Sequence, residues 1–182
     1  LQTVASLKAG GFDGTITLIG AEPFLPYQRP PLSKKFLNGT FERDRLFLKP
    51  KSFFTDNAIR VMLETQITDL DTAAKSLTCA NGKTISFAKA VICTGSRPRV
   101  LPIPGSHLEN IFDLRTIADI EAMRPLFKPG ARIVVVGGGY IGLETAASAR
   151  QLGVEVTIVE AAERVLARVT KPKLSAFFHR LH

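Results

Sequence analysis

The glycine-rich sequence at residues 137–142 constrains the fold more than any other part of the chain. It reads Gly-Gly-Gly-Tyr-Ile-Gly and contains the spacing Gly-x-Gly-x-x-Gly. The β-branched run at 133–136 before it predicts a fully buried strand of a parallel sheet. Residues 140–152, rich in alanine, predict a helix, and the apolar run 154–159 predicts a second strand. This order of elements is typical of one unit of a dinucleotide-binding α/β fold.

The glycines have separate physical roles in such a unit. Gly137 allows the tight turn from strand to helix, and Gly139 lets the backbone approach a pyrophosphate. Gly142 lets the helix pack closely on the strand. Tyr140 and Ile141 begin the predicted helix, whose N-terminus offers free N–H groups and a positive dipole end to phosphates.

Glu160 completes the pattern, because 160 − 137 = 23 residues separate it from the first glycine. A carboxylate there accepts hydrogen bonds from adenosine ribose hydroxyls and repels a 2′-phosphate, by roughly 1 kcal/mol at 4 Å in water. The position therefore favours NADH over NADPH. Arg164 and Arg168 favour NADPH instead, since either side chain can bind a phosphate. An ordinary strand–helix–strand unit without a ligand is the alternative interpretation.

Composition and charge restrict the classes of partner. The 182 residues allow one large domain or parts of two, and 45% hydrophobic residues suit a globular core. No apolar run reaches the length of a membrane span, and no secretory signal is present. The net charge of +8 suits anionic phosphates, an acidic protein partner or nucleic acid. Because the basic residues are scattered and no nucleic-acid motif accompanies them, we favour the first two.

Cysteine and histidine positions argue against a redox dithiol or a metal site. Cys79 and Cys93 form no closely spaced pair, which predicts two buried hydrophobic residues in strands of a reducing, cytoplasmic compartment. The three histidines, at positions 107, 179 and 182, do not cluster.

Other segments predict a second nucleotide-binding unit and its connections. Residues 15–19 followed by Gly-Ala-Glu predict the second strand of another dinucleotide unit, and Asn81-Gly82 predicts a hairpin between 75–79 and 83–88. Ser33 is predicted to cap a helix beginning at Lys34. The sequence also predicts helices at 3–9, at 116–127, around the apolar positions 174, 177, 178 and 181, and one that begins near residue 51. Further strands are predicted at 61–63, 66–70 and 90–93.

The sequence Leu-Pro-Tyr-Gln-Arg-Pro-Pro-Leu-Ser-Lys at 25–34 resembles a block in the FAD-dependent ferredoxin reductases of the putidaredoxin reductase type, which share the pyridine nucleotide-disulfide oxidoreductase fold. Apoptosis-inducing factor carries it too. Further similar segments lie at 90–99, 114–119, 137–144 and 164–169. The resemblance implies an α/β fold with two Rossmann-like units, both incomplete here, and a β-hairpin or meander in the first. Residues 1–128 correspond to a partial FAD-binding domain without its first strand and glycine loop, and 129–182 to the N-terminal part of an NAD-binding domain.

The resemblance also implies an activity. In this family a hydride passes from NADH to FAD, and electrons then leave singly to an iron–sulfur ferredoxin or redoxin. The chain is expected to be an internal fragment of a protein roughly twice as long and to be inactive alone. The alternatives are a redox or signalling protein of the apoptosis-inducing-factor type and a bare NAD-binding module. Because a Cys-x-x-x-x-Cys pair is missing, disulfide reduction is not expected.

The resemblance assigns two residues to the reaction and others to FAD. Lys34 is implied to lie beside the flavin, where its ammonium stabilises the reduced ring, and Glu144 to pair with it; the alternative for each is a solvated surface residue. Arg29 is implied to reach the adenosine side of FAD and Arg115 the flavin side.

Further FAD contacts are implied in the first unit. Ile67 is implied to contact adenine through its backbone, and Thr94 and Gly95 to close over the cofactor. Family members often have an acidic residue where this chain has Ala21, so the neighbouring Glu22 is expected to take the ribose contact instead.

Overall fold

The computed structural model describes residues 1–181, in which helices and strands form a mixed α/β arrangement. The helices are α1 Gln2–Ala9, α2 Lys51–Asp56, α3 Ile117–Met123, α4 Tyr140–Gln151 and α5 Pro172–Leu181. The strands are β1 Ile16–Ile19, β2 Ile59–Met62, β3 Ile67–Asp71, β4 Ser76–Cys79, β5 Thr84–Ser86, β6 Arg132–Val136 and β7 Glu155–Val159. Short 3-10 helices span Arg43–Leu46 and Arg124–Leu126.

The chain packs as two compact units. The first unit contains Leu1–Gln28 and Phe47–Gly95, and the second contains Arg29–Leu46 and the chain from Ser96 onward. The predicted boundary after residue 128 concerns nucleotide-binding domains rather than packing and stays a prediction.

The first unit confirms the predicted strand at 15–19. Strand β1 pairs in parallel with β2, and Ile16 lies opposite Ile59. Both side chains are buried with Val4 of α1 and Phe54 of α2 in one apolar cluster. This burial is what holds the two short helices against the two-stranded sheet.

Strands β3, β4 and β5 form an antiparallel meander in the same unit. The predicted hairpin is present, with Gly82 at φ +79, a left-handed conformation that glycine adopts without a steric penalty. The side chain of Asn81 accepts a hydrogen bond from the N–H of Lys83 at 3.1 Å and so stabilises the turn. Cys79, on β4, is buried as predicted.

The predicted buried strand at 90–93 is wrong. This segment lies outside the strands of the described chain, and Val91 and Ile92 are 66% and 68% exposed. Cys93 is exposed as well, which corrects the prediction of two buried cysteines. An apolar β-branched run becomes a buried strand only where a neighbouring strand pairs with it and another layer covers it. Among the described residues neither partner is present.

In the second unit, β6 and β7 pair in parallel and α4 connects them. Helix α4 buries Leu143, Ala146 and Ala149. The prediction that 133–136 is buried on both faces is wrong, because Val134 and Val136 are 64% and 62% exposed. Their neighbours Ile133 and Val135 are partly covered, so one face of this sheet is packed and the other is open.

The remaining helix predictions are confirmed in part. Residues 31–39 form successive hydrogen-bonded turns instead of a helix capped by Ser33. Helix α3 has the capping box that its sequence favours, between Thr116 and Asp119. Helix α5 is present, but Leu174 and Phe177 of its apolar face are exposed. No helix among the described residues is long and apolar enough to cross a membrane.

Candidate nucleotide-binding site

The glycine turn between β6 and α4 has the geometry that the sequence predicts. Gly137 has φ +108, and its N–H donates to the carbonyl of Val159 at 2.7 Å. A Cβ on Gly142 would lie 2.0 Å from the carbonyl oxygen of Gly137, so only glycine fits there. At Gly139 an added Cβ would meet no atom within 4 Å. The backbone at Gly139 is therefore open to an incoming group.

Glu160 is bound to this turn. Its Oε2 accepts from the N–H of Gly138 at 2.7 Å, and its Oε1 accepts from the N–H of Ala162 at 2.8 Å. The hydrogen bond from Ala162, followed by that from Gly138, lowers the pKa of Glu160, and Arg168 lowers it further by charge attraction. The carboxylate is therefore ionised at neutral pH at the end of β7.

Gly138 is a closely packed position of the turn that the sequence reasoning missed. A Cβ on Gly138 would lie 2.9 Å from Cγ1 of Val165 and 3.2 Å from Oε2 of Glu160. Its carbonyl accepts a hydrogen bond from the N–H of Leu166 at 2.8 Å. The signal was the middle one of three consecutive glycines, at a position that the spacing pattern leaves variable.

The N-terminus of α4 faces the same open space. Gly139 is its N-cap residue, and no side chain in the described part of the chain caps it. Tyr140 and Ile141 are each 53% exposed. Uncapped N–H groups at the start of a twelve-residue helix suit an anionic phosphate. The residues present therefore fit the pyrophosphate of a dinucleotide.

Arg164 lies behind the turn and binds the chain itself. Its Nη1 donates to the carbonyl of Thr170 at 2.9 Å and to Oγ of Ser175 at 2.5 Å, and its Nη2 donates to the carbonyl of Ala167 at 3.1 Å. Ser175 is 1% exposed and donates in turn to the carbonyl of Val165. Arg164 thus fixes the 161–170 segment, and its contact with a cofactor stays a prediction.

The expected pair of Lys34 and Glu144 is present in the second unit. Lys34 Nζ lies 2.7 Å from Oε2 of Glu144, with side chains 47% and 30% exposed. Lys34 Nζ also donates to the carbonyl of Pro30 at 3.2 Å. The ion pair joins the 25–34 block to the first turns of α4. The part that either residue plays in a reaction stays a prediction.

Arg29 and Arg115 also meet in this unit. Arg29 Nη1 donates to the backbone carbonyl of Arg115 at 2.5 Å. Nε of Arg115 is buried and has no hydrogen-bond partner among the described residues. A buried N–H donor without a partner costs about 1–3 kcal/mol, so this position suits a ligand that carries acceptor oxygens or ring nitrogens.

The remaining predicted FAD residues lie in the first unit. Ala21 and Thr94 are exposed, and Gly95 has φ +70. Glu22 accepts a hydrogen bond from the hydroxyl of Tyr27 at 2.5 Å. Ile67 begins β3 beside a bulge, with its backbone opposite Cys79. Their contacts with FAD stay predictions. No cluster of three or more histidine, cysteine, aspartate or glutamate side chains in the described part of the chain is arranged to hold a metal ion.

A strand–turn–helix–strand unit with an open glycine loop and a terminal carboxylate defines a nucleotide-binding protein of the α/β class. A family model described as pyridine nucleotide-disulphide oxidoreductase matches residues 2–182. The chain belongs to this family.

Relatives and solved structures agree with this membership. The chain is 42% identical to the ferredoxin–NAD(+) reductase subunit of the benzene 1,2-dioxygenase system of Pseudomonas putida, covering 98% of the chain and 43% of that protein. It is 42% identical to a 5,5′-dehydrodivanillate O-demethylase ferredoxin reductase subunit from Sphingobium sp., covering 100% and 45%. Its fold matches the putidaredoxin reductase of a covalent complex with putidaredoxin at a TM-score of 0.94 and 36% identity, covering 100% and 44%. The resemblance to ferredoxin reductases is confirmed, and the chain spans less than half the length of these relatives.

Proposed function

We propose that the chain forms part of an NADH-dependent flavoprotein reductase that passes electrons from NADH through FAD to an iron–sulfur redoxin. The ion pair between Lys34 and Glu144 carries this proposal. It places a cationic side chain of the 25–34 block on the helix that begins at the glycine turn. The names of the ferredoxin reductases that the chain resembles over its whole length support the same function.

The nicotinamide dinucleotide would be held by the turn at 137–142. The open backbone at Gly139 and the N–H groups of Tyr140 and Ile141 would bind its pyrophosphate. Glu160 would accept hydrogen bonds from the ribose hydroxyls and disfavour a 2′-phosphate. NADH is therefore the preferred substrate in this proposal.

FAD would be held by the residues that the resemblance assigns to it. When bound, FAD accepts a hydride and releases electrons one at a time. Arg29 and Nε of Arg115 would donate hydrogen bonds to it. Glu22 would accept hydrogen bonds from its ribose hydroxyls, and Ile67 and Thr94 would contact it. Lys34, whose Nζ lies 2.7 Å from Oε2 of Glu144, would stabilise the negative charge that develops on the cofactor during reduction.

The electron acceptor is proposed to be an acidic iron–sulfur protein in the cytoplasm. The net charge of +8 favours association with an acidic partner. The relative in the solved complex is joined to putidaredoxin, and another relative is named a rubredoxin–NAD(+) reductase. Cys79 and Cys93 are free thiols, which suits a reducing compartment.

The first test is flavin retention. The purified 182-residue chain is mixed with FAD and desalted, and its visible flavin absorption is recorded, in parallel with any longer product of the gene. The proposal expects flavin in the longer product, and bleaching of its absorption when NADH is added. A longer product that binds no flavin, or whose flavin NADH does not reduce, contradicts the proposal.

The second test separates Lys34 from general positive charge. We expect Lys34→Met to slow flavin reduction by NADH, because the cation beside the reduced flavin is lost. The matched control is Lys35→Met, which removes an exposed neighbouring charge. Equal rates in the two variants contradict the role of Lys34.

A further inference from the structure

One stripe of α4 is polar and lies against a single segment of the chain. Glu144, Ser148 and Gln151 are spaced four and three residues apart, which puts them on the same helical face. Glu144 contacts Ser33 and Lys34, Ser148 contacts Ser33, and Gln151 accepts a hydrogen bond from Asn38 at 2.9 Å. We call these contacts the α4 polar seam. It joins the helix of the glycine turn to the 33–38 segment.

Ser33 lies at the centre of the seam. Its Oγ donates to Oε2 of Glu144 at 2.6 Å, and its carbonyl accepts from Oγ of Ser148 at 2.8 Å. Ser33 and Ser148 are 4% and 5% exposed, so neither hydroxyl can exchange its protein partner freely for water. Hydrogen bonds from such buried hydroxyls therefore limit the motion of the groups that accept them.

The hydroxyl of Ser33 and the ammonium of Lys34 bind the same carboxylate oxygen. Oε2 of Glu144 lies 2.6 Å from Oγ of Ser33 and 2.7 Å from Nζ of Lys34. The two side chains are 47% and 30% exposed, so water screens their charges. Charge attraction alone therefore fixes their relative position only weakly. The short hydrogen bond from the buried hydroxyl is directional, so it fixes the orientation of the carboxylate, which the ion pair does not.

From this geometry we infer that Ser33 is a positioning residue, which orients the carboxylate of Glu144 toward Lys34 and thereby couples the nicotinamide-binding helix to the flavin-side lysine. The coupling part of the inference rests on the proposed function. Ser148 fixes the backbone of Ser33 but does not touch the carboxylate. The two serines are therefore a matched pair, since each contributes one buried hydroxyl to the seam and only one of them orients Glu144.

The test measures how firmly Glu144 holds Lys34 in the 182-residue chain, without FAD or NADH. The chain is treated with a limiting amount of acetic anhydride, and mass spectrometry gives the ratio of acetylated Lys34 to acetylated Lys35. The contact with Glu144 holds Nζ of Lys34 and shields it from the reagent, while the exposed Lys35 is the internal reference. Five variants are compared with the unaltered chain: Ser33→Ala, Ser33→Cys, Ser33→Thr, Ser148→Ala and Glu144→Gln.

We expect Ser33→Ala to raise the ratio roughly threefold or more, since a hydrogen bond to a charged group is lost. Ser33→Cys, which keeps the volume with a weak donor, is expected to raise it as well and replaces the alanine variant if that one fails to fold. Ser33→Thr retains the hydroxyl and is expected to restore protection, and Ser148→Ala to leave it near the original value. Glu144→Gln sets the upper limit.

Two results would overturn the inference. Equal ratios in the Ser33→Ala and Ser148→Ala variants would mean that Ser33 is one structural contact among several and does not specifically orient Glu144. An unchanged ratio in Glu144→Gln would mean that the ion pair does not protect Lys34 in solution. Neither result depends on flavin, whereas failure of the longer product to bind FAD contradicts the proposed function and leaves the acetylation result intact.

Discussion

Two alanine substitutions in the glycine turn separate a binding role from a folding role. At Gly139 an added Cβ meets nothing within 4 Å and φ is −82, so alanine fits the backbone. We expect Gly139→Ala to change the free energy of unfolding by less than about 1 kcal/mol. If a pyrophosphate occupies the open space, the methyl group overpacks it by about 1–3 kcal/mol. The Kd for NADH then rises roughly 5- to 150-fold.

Gly142→Ala is the matched variant with the opposite expectation. Its Cβ would lie 2.0 Å from the carbonyl oxygen of Gly137 and 3.3 Å from Cγ1 of Val135, so backbone or helix has to shift. We expect it to lower the free energy of unfolding by about 1–3 kcal/mol with or without ligand. NADH fluorescence titration and urea unfolding measure both quantities. A Gly139→Ala variant that binds NADH as tightly as the unaltered chain would refute the assignment of the turn to a pyrophosphate.

Three further results are expected. The lowered pKa of Glu160 stabilises the fold above the ordinary glutamate pKa, and this contribution disappears as the pH falls through the lowered value; urea unfolding at a series of pH values should show an acid-dependent loss that Glu160→Gln reduces. Ser175→Ala should lower the free energy of unfolding by about 1–3 kcal/mol, because it removes a buried partner of Arg164, whereas the exposed Ser96→Ala should leave it unchanged in the same assay. Thiol labelling of the folded chain should modify the exposed Cys93 quickly and the buried Cys79 only on unfolding, and equal rates would contradict the difference in burial.

Local sequence signals predicted the glycine turn well. The spacing of Gly137, Gly139 and Gly142 specifies a backbone path, and the strand on each side follows from a run of β-branched residues. Glu160 was also predictable, because parallel pairing of β6 with β7 brings the end of β7 beside the turn. These features depend on contacts within about thirty residues.

Contacts between distant segments were not predictable in the same way. Nothing in the residues around Ser33 shows that its hydroxyl meets Glu144, which lies 111 positions away. The helix predicted from Lys34 failed because 31–39 is shaped by packing, with Leu32, Phe36 and Leu37 almost fully buried. The sequence predicted too much burial at 90–93 and on β6. The apolar content of a strand shows that the strand can be covered, but it does not show which element covers it.

The hydrogen bonds of the glycine turn have a thermodynamic consequence for association. Gly137, Gly138 and Leu166 have backbone hydrogen-bond partners within the chain itself, and Glu160 accepts from two N–H groups at once. A dinucleotide that binds at Gly139 as proposed would therefore meet a loop whose conformational entropy was lost during folding. Such binding would cost little ordering of the chain, so the affinity at this loop would be set mainly by the ligand's own flexibility and desolvation.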